Sequence, residues 1–193
     1  IASGGVPRDF LTIFVDAIDN AISSGNSSHL TPKNIWKSAS SLSYRSKLKA
    51  LREDVNTESI HLELIFRDLM RFCIQQKKRT CFLISQEEAQ SYPEIHDLIL
   101  QLMDFKLIHV IEPDTSAASG RIGRFEAYTL DFSLFMEPRK RNIDIVEFWN
   151  FDSGRRRVGV RESPTYHLDR AKQALQDDDK EQTEDFIGRI DNI

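Results

Sequence analysis

The stretch from Ile60 to Ile74 constrains the fold most. Ile60, Leu62, Leu64, Ile65, Leu69, Met70, Phe72, Cys73 and Ile74 put apolar side chains on nearly every side of a helix. A helix of that kind belongs at the centre of a core rather than on its surface. The residues that follow supply its neighbours. Lys77-Lys78-Arg79 carries charge that suits a helix C-terminus, and Thr80-Cys81-Phe82-Leu83-Ile84 is a short apolar run that reads as a strand. Ser85-Gln86-Glu87-Glu88 has the form of a capping box opening a short helix. Pro93–Lys106 reads as another helix, with Ile95, Leu98, Ile99, Leu102, Met103 and Phe105 apolar. Leu107 to Ile111 is a strand, and Arg124 to Phe132 alternates as its antiparallel partner. Asp114 to Gly123, rich in Ser, Ala and Gly, joins the two.

Helix, short strand, helix, helix, strand, long loop, strand resembles the layout of a winged helix-turn-helix. That resemblance makes residues 57–135 a winged-helix domain, with its wing at Pro113–Arg124 and its recognition helix at Pro93–Lys106. The expected fold class is mainly α with a small antiparallel sheet. Residues 1–56 read as two helices, one over about Pro7 to Ser23 and one from Pro32, capped by Thr31, to about Val55. In the first, Phe10, Leu11, Phe14, Ala17, Ile18 and Ala21 make one apolar stripe. Such a pair cannot bury both its faces alone. Residues 136–193 read as an extension, with Ile143, Ile145, Val146, Phe148, Trp149 and Phe151 able to dock on the winged domain, a helical pattern from Leu168 to Leu175, and a last docking turn at Phe186, Ile187 and Ile190.

The first helix opens on Gly4-Gly5-Val6-Pro7-Arg8, where proline suits the first helical position and the glycines leave the preceding backbone free to turn. Ser3 to Leu11 resembles the sensor-2 segment of AAA+ ATPases, in particular the origin-recognition and helicase-loader-like branch and its bacterial relatives. Leu30-Thr31-Pro32-Lys33-Asn34-Ile35 resembles the start of the last lid helix in that family, with Asn34 where the family usually has Asp, and Ser43-Tyr44-Arg45-Ser46-Lys47-Leu48 resembles a run found in it. The resemblance covers roughly the first 56 residues. It implies that residues 1–56 are the end of an AAA+ lid and that Arg8 senses bound ATP in a full-length, ATP- and Mg-dependent protein. Winged-helix domains follow the lid in that branch. No G-x-x-x-x-G-K-[S/T] loop occurs in the chain, which begins with Ile1 rather than Met. The expectation is therefore a non-catalytic C-terminal fragment of an ATPase, holding no cofactor itself.

Enzyme chemistry finds no foothold. The five histidines have no metal-ligand spacing, no Ser or Cys stands in a G-x-S-x-G context, and Cys73 and Cys81 match no C-x-x-C motif. The cysteines read as buried free thiols of a cytoplasmic protein. No apolar run approaches the ~18–20 residues of a membrane span.

A winged helix invites a DNA-binding expectation, with contact made largely through phosphates under control of the ATPase, and charge tests it. Residues 57–135 carry 8 Lys/Arg against 12 Asp/Glu, and the helix that would enter the groove holds Glu94, Asp97 and Asp104 against Lys106, with His96 and Gln101 as neutral readers. Direct base readout is disfavoured, but phosphate contact remains open. The candidate DNA-binding residues are Lys77, Lys78 and Arg79, Arg121 and Arg124 at the wing, Arg139, Lys140 and Arg141, and Arg155, Arg156 and Arg157. The alternative is a protein-protein module that couples the ATPase to a partner or to self-assembly, with Phe148, Trp149 and Phe151 as aromatic anchors. Closing the core of this chain is the plainer expectation for those three.

Overall fold

The computed structural model of the chain describes residues 7–25, 29–39, 44–53, 57–118, 120–135 and 142–176. Helices α1 (Pro7–Ser23), α2 (Pro32–Ser38) and α3 (Tyr44–Glu53) precede α4 (Thr57–Met70), which widens into π-helical turns over Arg71–Lys77. Then come β1 (Cys81–Ser85), α5 (Gln86–Ser91), α6 (Pro93–Asp104), β2 (Ile108–Thr115), β3 (Phe125–Leu130) and a 3-10 turn at Phe132–Leu134. In the extension, α7 spans Val158–Arg161 and residues 168–176 form a further helix, α8. The described chain is mainly helical, with one three-stranded antiparallel sheet of order β1-β3-β2.

Local chemistry explains the boundaries. Thr31 Oγ1 accepts from the Asn34 N–H at 3.3 Å while the Asn34 side chain accepts from the Thr31 N–H at 3.2 Å, and Pro32 fills the first helical position. The wide turns after α4 end where Lys78 turns left-handed at φ 51°, and the Arg79 N–H reaches back to the Cys73 carbonyl at 2.8 Å. Pro93 opens α6 as the sequence predicts. Residues 32–55, predicted as one helix, are α2 and α3, with 40–43 outside the described residues.

Strand alternation gives the sheet two buried faces. Phe82, Ile84, Tyr128, Leu130 and Ile108 face a core built with Leu62, Ile65, Phe66 and Leu69 of α4 and Ile99 and Leu102 of α6. Cys81, Leu83, Phe125 and Ala127 face the other way, where Ala117, Val146 and Val160 cover them. The extension thus acts as a lining for the sheet. It also pairs with the β1 edge. The Asp144 N–H donates to Lys78 O at 2.7 Å, Leu83 N–H to Pro164 O at 2.9 Å, and Tyr166 N–H to Leu83 O at 2.8 Å. An edge that would otherwise offer unpaired backbone is closed.

One sequence expectation, the capping box, needs correcting here. Ser85 makes no side-chain cap on α5, so the capping box does not form. Glu88 instead caps α8, accepting from the Leu168 N–H at 2.8 Å, with His167 Nδ1 2.6 Å from its other oxygen. On α1, Ile13, Ala17 and Ala21 are the buried residues, whereas Phe10, Leu11 and Phe14 are exposed. The i, i+4, i+8 row of Ile13 and two alanines is small enough to let α2 approach closely, and the large rings lie on the adjoining face.

Candidate functional site

The basic residues predicted to face DNA part into three groups. Arg79, Arg121 and Arg157 turn inward. Arg121, on the loop between β2 and β3, donates to Thr165 Oγ1 at 2.6 Å, Ser163 O at 3.0 Å and Arg161 O at 3.2 Å. Arg79 donates to Glu162 O at 3.1 Å and Gly159 O at 3.4 Å and lies 3.1 Å from Asp144 Oδ2. Arg157 donates to Phe148 O at 2.8 Å, lies 3.6 Å from Glu112 Oε2, and sits 4.7 Å from the centre of the Phe151 ring. A guanidinium offers five donors in a rigid fork, so one arginine satisfies several turn carbonyls at once. Each of these side chains ties the extension to the sheet.

The second group faces outward. Lys77, Lys78, Arg155 and Arg156 have exposed side chains. Lys77 Nζ lies 5.7 Å over the Phe72 ring. Arg155 sits at φ 55° in a turn closed on itself, where the Arg156 N–H donates to Asp152 Oδ1 at 2.8 Å. Arg124 is also exposed and lies 2.5 Å from Asp114 Oδ1, holding that carboxyl below its ordinary range. The third group, Arg139, Lys140 and Arg141, lies outside the described residues, as does the side chain of Arg8.

Helix α6 is a poor reader of base edges. Glu94, Asp97 and Asp104 are exposed on it. His96 is held to the sheet, Nε2 lying 2.7 Å from Glu126 Oε2, an oxygen that also accepts from Tyr128 OH at 2.5 Å. The acidic face repels phosphate, and His96, one of its two neutral candidates, is occupied.

Among the described residues, no group of three or more His, Cys, Asp or Glu is placed to hold a metal ion. Both cysteines are buried free thiols, and burial pushes Cys73 up and Cys81 up to about 11, against nucleophilic use. No described helix is long and apolar enough to cross a membrane.

Two polar clusters escaped sequence reasoning. Asp131, almost fully buried, lies 3.0 Å from Lys47 Nζ of α3 and 2.8 Å from His109 Nε2, and accepts from the Ser133 N–H at 3.0 Å. Burial alone would raise its carboxyl; the bonds from His109, Lys47 and Ser133 outweigh that and hold it low. Asp68 on α4 takes Arg170 of α8 on both oxygens and the Tyr166 hydroxyl at 3.0 Å. Their partners lie far apart in sequence, and no local spacing announces them.

Exposed apolar surface collects in two places. On α1, Phe10, Leu11, Phe14, Val15 and Ile22 are exposed, with Phe10 and Phe14 stacked at 5.8 Å. On the extension, Ile145, Trp149, Phe151 and Val158 are exposed. Trp149 and Phe151 therefore do not close the core as expected, whereas Phe148 is partly buried against both cores. Comparison of the chain with protein-family models, with curated proteins and with solved structures returned no match.

Proposed function

We propose that the chain is a non-catalytic module at the C-terminal end of an AAA+ ATPase, and that it binds protein rather than reading DNA. In this reading α1 to α3 belong to the lid, residues 57–135 form a winged-helix domain, and the extension is folded back as part of that domain. The order helix, strand, helix, helix, strand, loop, strand and the sheet order β1-β3-β2 support the winged-helix assignment. The apolar face left open on α1 is where the ATPase core would pack, with Arg8 at the start of the same helix to sense ATP.

One observation carries the preference for protein. Arg121 of the wing and Arg79 of the β1 shoulder, which should meet phosphate, instead hold carbonyls of the extension. Fluorescence anisotropy with random-sequence duplex DNA tests it. The expected result is no saturable binding at physiological salt below about 10⁻⁴ M, the weak edge of non-specific affinity. Micromolar, salt-sensitive binding would overturn it. That outcome would favour a second reading, phosphate contact through the exposed Lys77, Lys78, Arg155 and Arg156. Neutralising all four would then flatten the log-log salt slope by up to about 4.

A further inference from the structure

Between the β1 shoulder and the folded-back extension lies an open cleft of about 510 Å³. Val146, almost fully buried, and Gly159 are among its lining residues, and a Cβ on Gly159 would come within 3.2 Å of Val146 Cγ1. Ile145, Phe151 and Val158 also line it, at 42%, 54% and 42% exposure. Trp149, beside them, is 45% exposed and meets Phe148 edge-on at 5.0 Å. Large apolar side chains gathered round a concavity mark a contact surface, whereas scattered ones do not.

Charge selects the occupant. Asp144, Glu147 and Asp152 also line the cleft, and all three are exposed. The cation among the lining residues is Arg79, which is engaged with two carbonyls and with Asp144. Among the lining residues carboxylates outnumber cations three to one, which disfavours phosphate and carboxylate. Arg157 stacks outside the lining at 4.7 Å from the Phe151 ring, and Asp152 already accepts from the Arg156 N–H. The cleft accepts an apolar side chain with an ammonium or guanidinium beside it.

We infer that this cleft binds a short linear segment of a partner protein, with one aliphatic or aromatic anchor in the cleft and a Lys or Arg next to it meeting Glu147 and Asp152. The volume is enough for a few side chains of an extended segment. The site rests on the protein-binding reading above and deepens it by naming the partner's chemistry. It is separate from the α1 face, so a partner can hold the extension while α1 is covered.

The test is selection of random peptides, displayed on phage, against the whole folded chain, followed by anisotropy titration of the enriched peptides. Enriched sequences should pair an apolar anchor with Lys or Arg and compete for one site. Glu147→Gln with Asp152→Asn should weaken them about fivefold, the scale of two solvent-exposed ion pairs. Val158→Lys should weaken them more than tenfold by placing a cation in the cleft. Both positions 147 and 152 are exposed, so that double variant keeps the fold if Val158→Lys does not. No enrichment, enrichment of acidic or purely apolar sequences, or binding indifferent to these substitutions each overturns the inference. Failure here with no DNA binding removes the cleft alone; micromolar DNA binding in the titration above removes the protein-binding reading itself.

Discussion

Phe14 on α1 and Tyr166 in the extension are both large aromatics on segments that flank the sheet-bearing unit, and they end in opposite environments. Tyr166 is fully buried, its ring 5.2 Å from Phe72 and 6.1 Å from Phe82, its hydroxyl on Asp68. Phe14 is 43% exposed and stacks on Phe10 of its own helix. The extension supplies core residues to the sheet unit from both sides, since Leu168 and Ala171 join the same cluster as Tyr166 and Val146 and Val160 close the other face. Helix α1 meets α2 through one narrow row and leaves its broad apolar face open. The C-terminal segment therefore belongs to the domain, and the N-terminal pair has one face still without a neighbour among the described residues.

The strongest way to break this contrast is Tyr166→Ala. Deleting a fully buried aromatic costs about 3–5 kcal/mol, which should lower Tm by ~10 °C or more. Calorimetry that showed a shift of only a degree or two would make the extension a surface attachment instead of a core element.

Next in size is the joint between the two regions. Lys47 of α3 reaches Asp131 at the end of β3, with side-chain exposures of 8% and 2%. Asp131→Asn removes one negative charge from beside the buried Lys47 ammonium, at a cost of about 3 kcal/mol. The carboxyl is held below its ordinary value, so its contribution is present above the unfolded pKa of about 3.9 and is lost as pH falls through the lower folded value. Denaturation followed from pH 6 to pH 2 should show this loss in the native chain and a shallower one in Asp131→Asn. Equal slopes would mean that the joint is not carried by this ion pair.

Arg121→Lys sharpens the comparison at the loop between β2 and β3. An ammonium cannot span Thr165, Ser163 and Arg161 together, so the loop should lose about 1–2 kcal/mol of anchoring. Hydrogen exchange reads this directly at the Ala118 N–H, which donates to Arg161 O at 2.8 Å. Unchanged protection there would leave the arginine available for an external phosphate.

Much of this was legible locally. The all-round apolar helix before β1, the Pro93 start of α6 and the alternation of β3 each report a backbone state through neighbours within a few residues. Side-chain partners were not legible in that way. Arg121 finds Thr165 44 residues on, Glu88 finds Leu168 80 residues on, and Arg170 finds Asp68 102 residues back. Which carbonyls an arginine meets depends on which segment folds over it, and charge counting treats inward and outward arginines alike. Helix α1 was only half legible for a related reason. Its apolar residues occupy two adjoining faces, and a sequence pattern identifies faces without saying which of them has a neighbour.

The smallest effect is also the most telling. Phe10→Ser with Phe14→Ser alters side chains 56% and 43% exposed, so the isolated chain should change by no more than about 0.5 kcal/mol per site. If α1 belongs to a lid as proposed, the same pair should abolish its docking on an ATPase core, because both rings would then lie in the interface. Stability of the isolated chain by urea denaturation separates the two roles. A loss well above ~1 kcal/mol in total would show that the face is already covered within this chain, and the lid reading would lose its apolar surface. A near-zero loss, with ATP-dependent activity of the longer protein impaired, would place the function of these rings in a contact the isolated chain does not make.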